Sequence, residues 1–169
     1  LAQLGDRATL GCRGTKVHAG PLSPGCRTCG EGTWACLYFA RACTRRCFFC
    51  PQPTLPAGTE ASPRIGELTF EGPREFVDYL ARLEIRGVGF SGGESLLKLD
   101  LLLSFLREIR GTLGPDRYLW LYTNGDPLDA PVLRKLREAG LDEIRINLSA
   151  RNYDLAPVRL AARHLGTVT

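Results

Sequence analysis

The 169 residues carry 22 basic and 18 acidic side chains, a formal charge of +4, with 44% hydrophobic content. That apolar share suits one compact domain with a sizeable core, while so mild and scattered a charge argues against nucleic acid as a partner. No run of about eighteen apolar residues exists to span a membrane, and Asp6, Arg7, Arg13 and Lys16 leave no room for a signal-peptide core.

The chain begins at Leu1, contains no methionine and stops on Gly166-Thr167-Val168-Thr169, where a strand is only starting. It therefore reads as an internal piece of a longer protein, truncated at its C-terminus. Its seven cysteines are an odd number with no secreted-domain pairing pattern. Clustered free thiols of this kind point to metal ligands in a reducing, cytoplasmic setting.

Residues 1–34 are rich in glycine, proline and cysteine without helical or strand period, and read as an irregular, metal-organised lead-in to a domain covering 35–169. Cys36 to Ala40 is a short apolar run suited to a buried strand. A cysteine loop follows, and then Pro51, Pro53, Pro56 and Gly58 rule out regular structure up to about Ser62. Glu71 to Arg82 has a helical period, with Phe76, Leu80 and Leu83 on one stripe. Gly87 to Ser91 is a second strand. Leu99 to Ile109 is an apolar helix with Asp100 near its start and Gly111 near its end.

Leu119 to Tyr122 is a third strand, closed by Asn124-Gly125. Asp129 caps a helix with Pro131 in its first turn and Gly140 beyond its end. Glu143 to Leu148 is a fourth strand, Tyr153 to His164 a weaker helix, and Thr167 opens a fifth strand. This alternation predicts βαβ units on a parallel sheet. Cys43, Glu94 and Asn124 each fall just after a strand, on the rim where parallel α/β folds bind ligands.

Cys43, Cys47 and Cys50 are spaced C-x3-C-x2-C and followed by Pro51. Three thiolates underfill an iron–sulfur cube, which normally takes four, so one iron would stay open for chemistry. With Phe49 before the last cysteine and Gly92-Gly93-Glu94 after the second strand, the chain resembles the radical S-adenosylmethionine (SAM) superfamily. The resemblance implies a partial (βα) barrel of the radical SAM type, about four and a half βα units of it present. It also implies a [4Fe–4S] cluster, SAM, and an enzyme that cleaves SAM to a 5′-deoxyadenosyl radical able to abstract hydrogen from a substrate left unidentified. A low-potential donor of the flavodoxin or ferredoxin type would supply the electron.

Gly92 and Gly93 would let backbone approach the methionine of SAM, and the Glu94 carboxylate would accept from its ammonium. Asn124 matches a family motif at the third strand. Arg145, Asn147 and Ser149 share the polar face of the fourth, which makes Asn147 and Ser149 candidates for the ribose and carboxylate of SAM. Arg41, Arg45 and Arg46 surround the cluster loop, either solvated, contacting protein backbone, or attracting the acidic donor.

Cys26-Arg27-Thr28-Cys29-Gly30 reads as a metal knuckle, completed by Cys36 with Cys12 or His18. It is absent from conventional members of the family. A five-residue strand would separate Cys36 from Cys43 by roughly 16 Å, placing a second site, zinc or an auxiliary iron–sulfur cluster, toward the opposite end of the sheet. The rival readings are a non-catalytic zinc module and an iron–sulfur electron carrier.

Overall fold

The computed structural model describes residues 8–51 and 62–169. Pro53, Pro56 and Gly58, and most of the segment expected to lack regular structure, lie outside the described residues. The chain opens with a hairpin, β1 (Ala8–Gly11) and β2 (Lys16–Ala19), followed by helix α1 (Pro24–Glu31). This corrects the reading of the lead-in as irregular. Its strands are too short to show a period, and α1 holds two glycines, poor helix formers. The Ser23 hydroxyl accepts from the Cys26 N–H, and Pro24 fills the first helical position, a start signal present in the sequence.

The remaining elements are β3 (Trp34–Ala40), a small hairpin β4 (Arg64–Ile65) and β5 (Leu68–Thr69), α2 (Pro73–Ala81), β6 (Gly87–Gly92), α3 (Leu99–Leu113), β7 (Tyr118–Thr123), α4 (Ala130–Glu138), β8 (Glu143–Ile146), α5 (Ala156–Ala161) and β9 (Thr167–Val168). Seven strands form one sheet in the order β5-β4-β3-β6-β7-β8-β9. β3, β6, β7, β8 and β9 run parallel, and the unanticipated β4–β5 hairpin adds an antiparallel edge.

Alternation along each parallel strand divides the sheet into two unlike faces. Leu37 and Phe39, Val88 and Phe90, Leu119 and Leu121, and Ile144 and Ile146 share the core with Phe76, Leu80, Phe105, Leu106 and Leu133 of the helices. Each fully buried side chain of this size contributes roughly 1.5–3 kcal/mol, so this layer dominates the stability. Leu83 is exposed and lies beyond the end of α2, outside the stripe that the sequence period predicted for it. Gly87, Gly89, Trp120 and Arg145 lie on the opposite face, against α1. A Cβ on Gly89 would stand 2.7 Å from the Trp120 indole nitrogen, so glycine there makes room for the ring.

Two strand–helix boundaries differ from expectation. β8 stops at Ile146, and Asn147 instead caps a 3-10 turn over Leu148–Arg151, its Oδ1 accepting from the Ala150 N–H at 3.3 Å. Ser149 is therefore on a turn and exposed, not on a strand face. The last helix is shorter than its weak period suggested: Tyr153 sits outside it in left-handed backbone (φ 62°) and is exposed. Among the described residues no helix is long and apolar enough to cross a membrane.

Candidate functional site

A cleft of about 540 Å³ opens at the C-terminal ends of β3, β6, β7 and β8, within the volume range of small-molecule sites. Cys43, Cys47, Phe49 and Cys50 of the loop after β3 border it, as do Gly92 at the end of β6 with Gly93 beyond it, Asn124 after β7, and Arg145 of β8 with Asn147 beyond it. Residues more than a hundred positions apart in sequence thus meet on one rim because every parallel strand delivers its end there.

The loop is fastened from several sides. The Asn124 amide nitrogen lies 3.6 Å from Cys43 Sγ and donates to Thr44 Oγ1 at 2.9 Å, while Asn124 Oδ1 accepts from the Asp126 N–H at 2.8 Å. Asp126 is the hub. It accepts two parallel bonds from the Arg45 guanidinium at 2.6 Å each, a third from Thr44 Oγ1 at 2.8 Å, and a further one from Arg151. The Arg45 guanidinium holds the Asp126 carboxyl below its ordinary value. Arg45 is thus tied by an ion pair to the loop after β7, while its side chain stays 39% exposed. Asp126 was not singled out in the sequence. Its signal was an acid directly after Asn124-Gly125, facing an arginine-rich loop.

Glu94 has a different place from the one expected. It is fully buried and does not border the cleft. Its carboxylate accepts from the Leu96 N–H at 3.1 Å and the Asn124 N–H at 2.8 Å, and the Thr123 hydroxyl lies 2.9 Å from both oxygens. Burial pushes its pKa up, and these bonds oppose the shift. With its lone pairs engaged by its own chain, Glu94 clamps the end of β6 to the end of β7. Its N–H also donates to the Ala42 carbonyl at 2.8 Å. A Cβ on Gly93 would stand 2.2 Å from that same Ala42 oxygen, so glycine here lets β6 close on the cysteine loop.

The back wall of the cleft is a polar network that the sequence showed only in part. Glu143, fully buried, accepts at Oε1 from Arg145 Nε at 2.7 Å, Ser23 Oγ at 3.0 Å and Thr169 Oγ1 at 3.0 Å. The Arg145 guanidinium stacks near Trp120 and Tyr122, 5.0 and 5.1 Å from the ring centroids, and donates to the Tyr122 hydroxyl at 2.7 Å. Ser149 is not among the residues that border the cleft, whereas its neighbour Ala150 is.

All seven cysteines are free. Burial pushes the Cys47 thiol up, and the neighbouring Cys43 and Cys50 add to the shift. Among the described residues no three cysteine, histidine or acidic side chains stand placed to hold a metal ion as they are. The donor set nevertheless fits an iron–sulfur cluster: three sulfurs on one cleft, an N–H of Arg45 3.5 Å from Cys43 Sγ, and Asn124 beside the same sulfur. Arg41 Nε, buried and without a hydrogen-bond partner among the described residues, belongs to another cleft-bordering side chain.

The other four thiols lie on the β1–β2 turn, α1 and β3. Cys36 is the third residue of a seven-residue strand, and Cys26 borders the same cleft as Cys43. Of these four thiols only Cys26 borders the cleft, while Cys12 borders a separate hollow with His18 and Gly30, and α1 itself packs on the first residues of β6 and β8, Gly87 and Glu143.

Comparison with known proteins agrees with this geometry. The radical SAM superfamily model matches residues 37–165. "Putative glycyl-radical enzyme activating enzyme MJ0021" of Methanocaldococcus jannaschii is 27% identical over 75% of this chain and 33% of its own length. A GTP 3′,8-cyclase of Acidothermus cellulolyticus is 34% identical over 65% of the chain and 30% of its own length. The chain thus spans about a third of these relatives. Among solved structures, BtrN in complex with AdoMet and 2-DOIA superimposes with a TM-score of 0.55 at 18% identity, over 80% of this chain and 56% of that one. The cysteine loop, the strand-end cleft and the family match together place this chain in the radical SAM superfamily, whose members use a [4Fe–4S] cluster and SAM.

Proposed function

We propose that this chain carries the radical-generating half of a radical SAM enzyme. In this reading Cys43, Cys47 and Cys50 hold a [4Fe–4S] cluster with one iron left open, and SAM lies in the cleft across Gly92, Gly93, Asn124 and Asn147, beside Phe49. When bound, cluster and SAM together supply a 5′-deoxyadenosyl radical that removes hydrogen from a substrate.

The protein's own share is position and shielding. Asn124 and Asp126 hold the cysteine loop, Glu94 sets the spacing of the β6 and β7 ends, and Arg145 with Glu143 walls the cleft from behind. Asn147 borders the cleft and stays a candidate for SAM. Ser149, exposed on its turn, is not needed by this reading. The electron comes from a low-potential donor of the flavodoxin or ferredoxin type, with Phe48, 99% exposed beside the cysteines, as part of the surface it would meet. The relatives' names point to unlike substrates, an enzyme to be activated in one case and GTP in the other, so the reading stops at radical formation.

The observation that carries the proposal is that three cysteines of one loop border the cleft formed by four strand ends. Anaerobic reconstitution with iron and sulfide tests it. The wild type should turn brown, change its absorbance on adding SAM and release 5′-deoxyadenosine with dithionite. Cys43→Ala, Cys47→Ala and Cys50→Ala should each abolish that release while keeping the far-UV circular dichroism. Substantial 5′-deoxyadenosine from any one of them would sink the assignment.

A further inference from the structure

The N-terminal layer poses an energetic problem. Helix α1 is eight residues long, and Gly25 is the residue it buries; no large apolar side chain of α1 enters the core. Its two interior glycines each cost up to about 1 kcal/mol relative to alanine, and so short a helix is marginal by itself. The hairpin before it pairs four residues with four and leaves Leu10 and Val17 exposed, 66% and 47%. A two-stranded hairpin of that kind does not sustain itself in water. Something other than apolar burial has to secure this layer.

Four thiols stand where a fastener is needed. Cys26 and Cys29 are one turn apart on α1. Cys36 lies on the inner face of β3, because its neighbours Ala35 and Leu37 face the core. Cys12 comes from the β1–β2 turn, where three successive residues, Cys12, Arg13 and Gly14, have left-handed backbone. That turn drives its sulfur onto α1: Cys12 Sγ lies 4.0 Å from the Cys26 carbonyl, and a Cβ on Gly30 would collide with it at 1.9 Å. Gly30 is thus the residue that admits Cys12 to the helix. His18, the other candidate, keeps to its own hairpin, with Nδ1 2.6 Å from the Gly20 carbonyl.

We propose that Cys12, Cys26, Cys29 and Cys36 bind one zinc ion that staples the hairpin and α1 to the inner face of the sheet. An all-thiolate tetrahedral set suits zinc or an iron–sulfur cluster. Cys12 is already packed against the helix backbone, and Cys36 lies on the strand directly below. Four thiolates leave no coordination position open, which is the closed set of a structural zinc. A structural ion here contributes folding free energy to the layer that has no core of its own. Because Cys26 also borders the cleft, and Gly25 packs on Arg145 and Glu143, the ion would hold the cleft's back wall in place.

The test uses the variant lacking Cys43, Cys47 and Cys50, which separates this site from the cluster. Given Zn²⁺ it should retain one ion per chain. Given Co²⁺ it should show the thiolate charge-transfer and tetrahedral ligand-field absorption of a four-sulfur site. Adding Cys12→Ser should weaken Co²⁺ binding more than roughly tenfold, and adding His18→Ala should leave it unchanged. A second measurement does not depend on variants folding. Chelator treatment of the wild-type protein should raise amide exchange in residues 8–31 while β6, β7 and β8 stay protected. Loss of all metal from the triple variant, an iron–sulfur spectrum from it, or unchanged exchange after the zinc is stripped would each overturn the proposal.

Discussion

Asp126 is the residue on which the cysteine loop depends, through Arg45, Thr44 and Arg151. Its pKa is depressed, so its stabilising contribution is complete above the ordinary carboxylate value of about 3.9. That contribution is lost as pH falls through the ordinary value toward the lower folded one. Thermal melts should show the wild type losing stability more steeply than Asp126→Asn as pH falls from about 5 to 2. The variant should also retain less iron after reconstitution at neutral pH. Parallel melting curves and equal iron would remove Asp126 from this role.

Glu94 shifts the other way, and the sign reverses. Its folded pKa lies above its ordinary value, so its ionisation costs stability as pH rises through that interval. Removing the side chain is still unfavourable, because Glu94→Ala strands the Leu96 and Asn124 N–H groups in a buried site. That should cost about 1–3 kcal/mol, read by denaturant unfolding, and should weaken SAM binding while the cluster stays. Glu94→Gln, which keeps one carbonyl acceptor, should recover part of both. A variant with SAM affinity fully intact would show that the β6–β7 clamp has no bearing on the cleft.

At the scale of elements, the approach of β6 to the loop after β3 rests on one missing side chain. Gly93→Ala places a methyl 2.2 Å from a backbone oxygen that cannot rotate away. The strand end must move, at a cost near the upper part of the 1–3 kcal/mol range for overpacking, about 3 kcal/mol. Equilibrium unfolding reads this directly, and SAM affinity should fall with it. α1 also packs through Gly25 on Trp120, which is fully buried and lies over Gly87 and Gly89. Trp120→Ala should cost about 3–5 kcal/mol and raise proteolysis within residues 8–31 before the rest of the sheet is cut. Stability within 1 kcal/mol of wild type would mean that α1 is held by other contacts.

At the scale of the molecule, helices α2 to α5 cover one face of a parallel sheet, and the N-terminal layer covers the other, beside the cleft. Stability and function are therefore divided between the faces. The helix side supplies most of the buried apolar area, and the inner side carries the polar wall of Glu143, Arg145 and Tyr122. A chain starting at Thr33 should keep the helix-side core yet expose Trp34 and Trp120. It should bind a hydrophobic dye and melt at lower temperature than the longer chain. Absence of both effects would show that the layer is not needed to cover the inner face.

The sequence by itself determined the parallel α/β class, the five parallel strands from Cys36 to Thr167, though not the β4–β5 hairpin between them, and the cysteine loop. Each of these rests on local information: hydrophobic period, glycine and proline punctuation, and the spacing of three thiols within one loop. It also led to the family, because Cys43, Cys47, Cys50 and Gly92-Gly93-Glu94 are short contiguous signatures. Only the tertiary structure decided which way Glu94 turns, since its partners Thr123 and Asn124 lie thirty residues away and meet it through strand pairing. The same holds for Asp126, whose arginines come from the cysteine loop and from the turn after β8. The N-terminal hairpin and α1 were illegible for a related reason. Glycine-rich segments of four to eight residues carry no period of their own, and they take their structure from the sheet face that they cover.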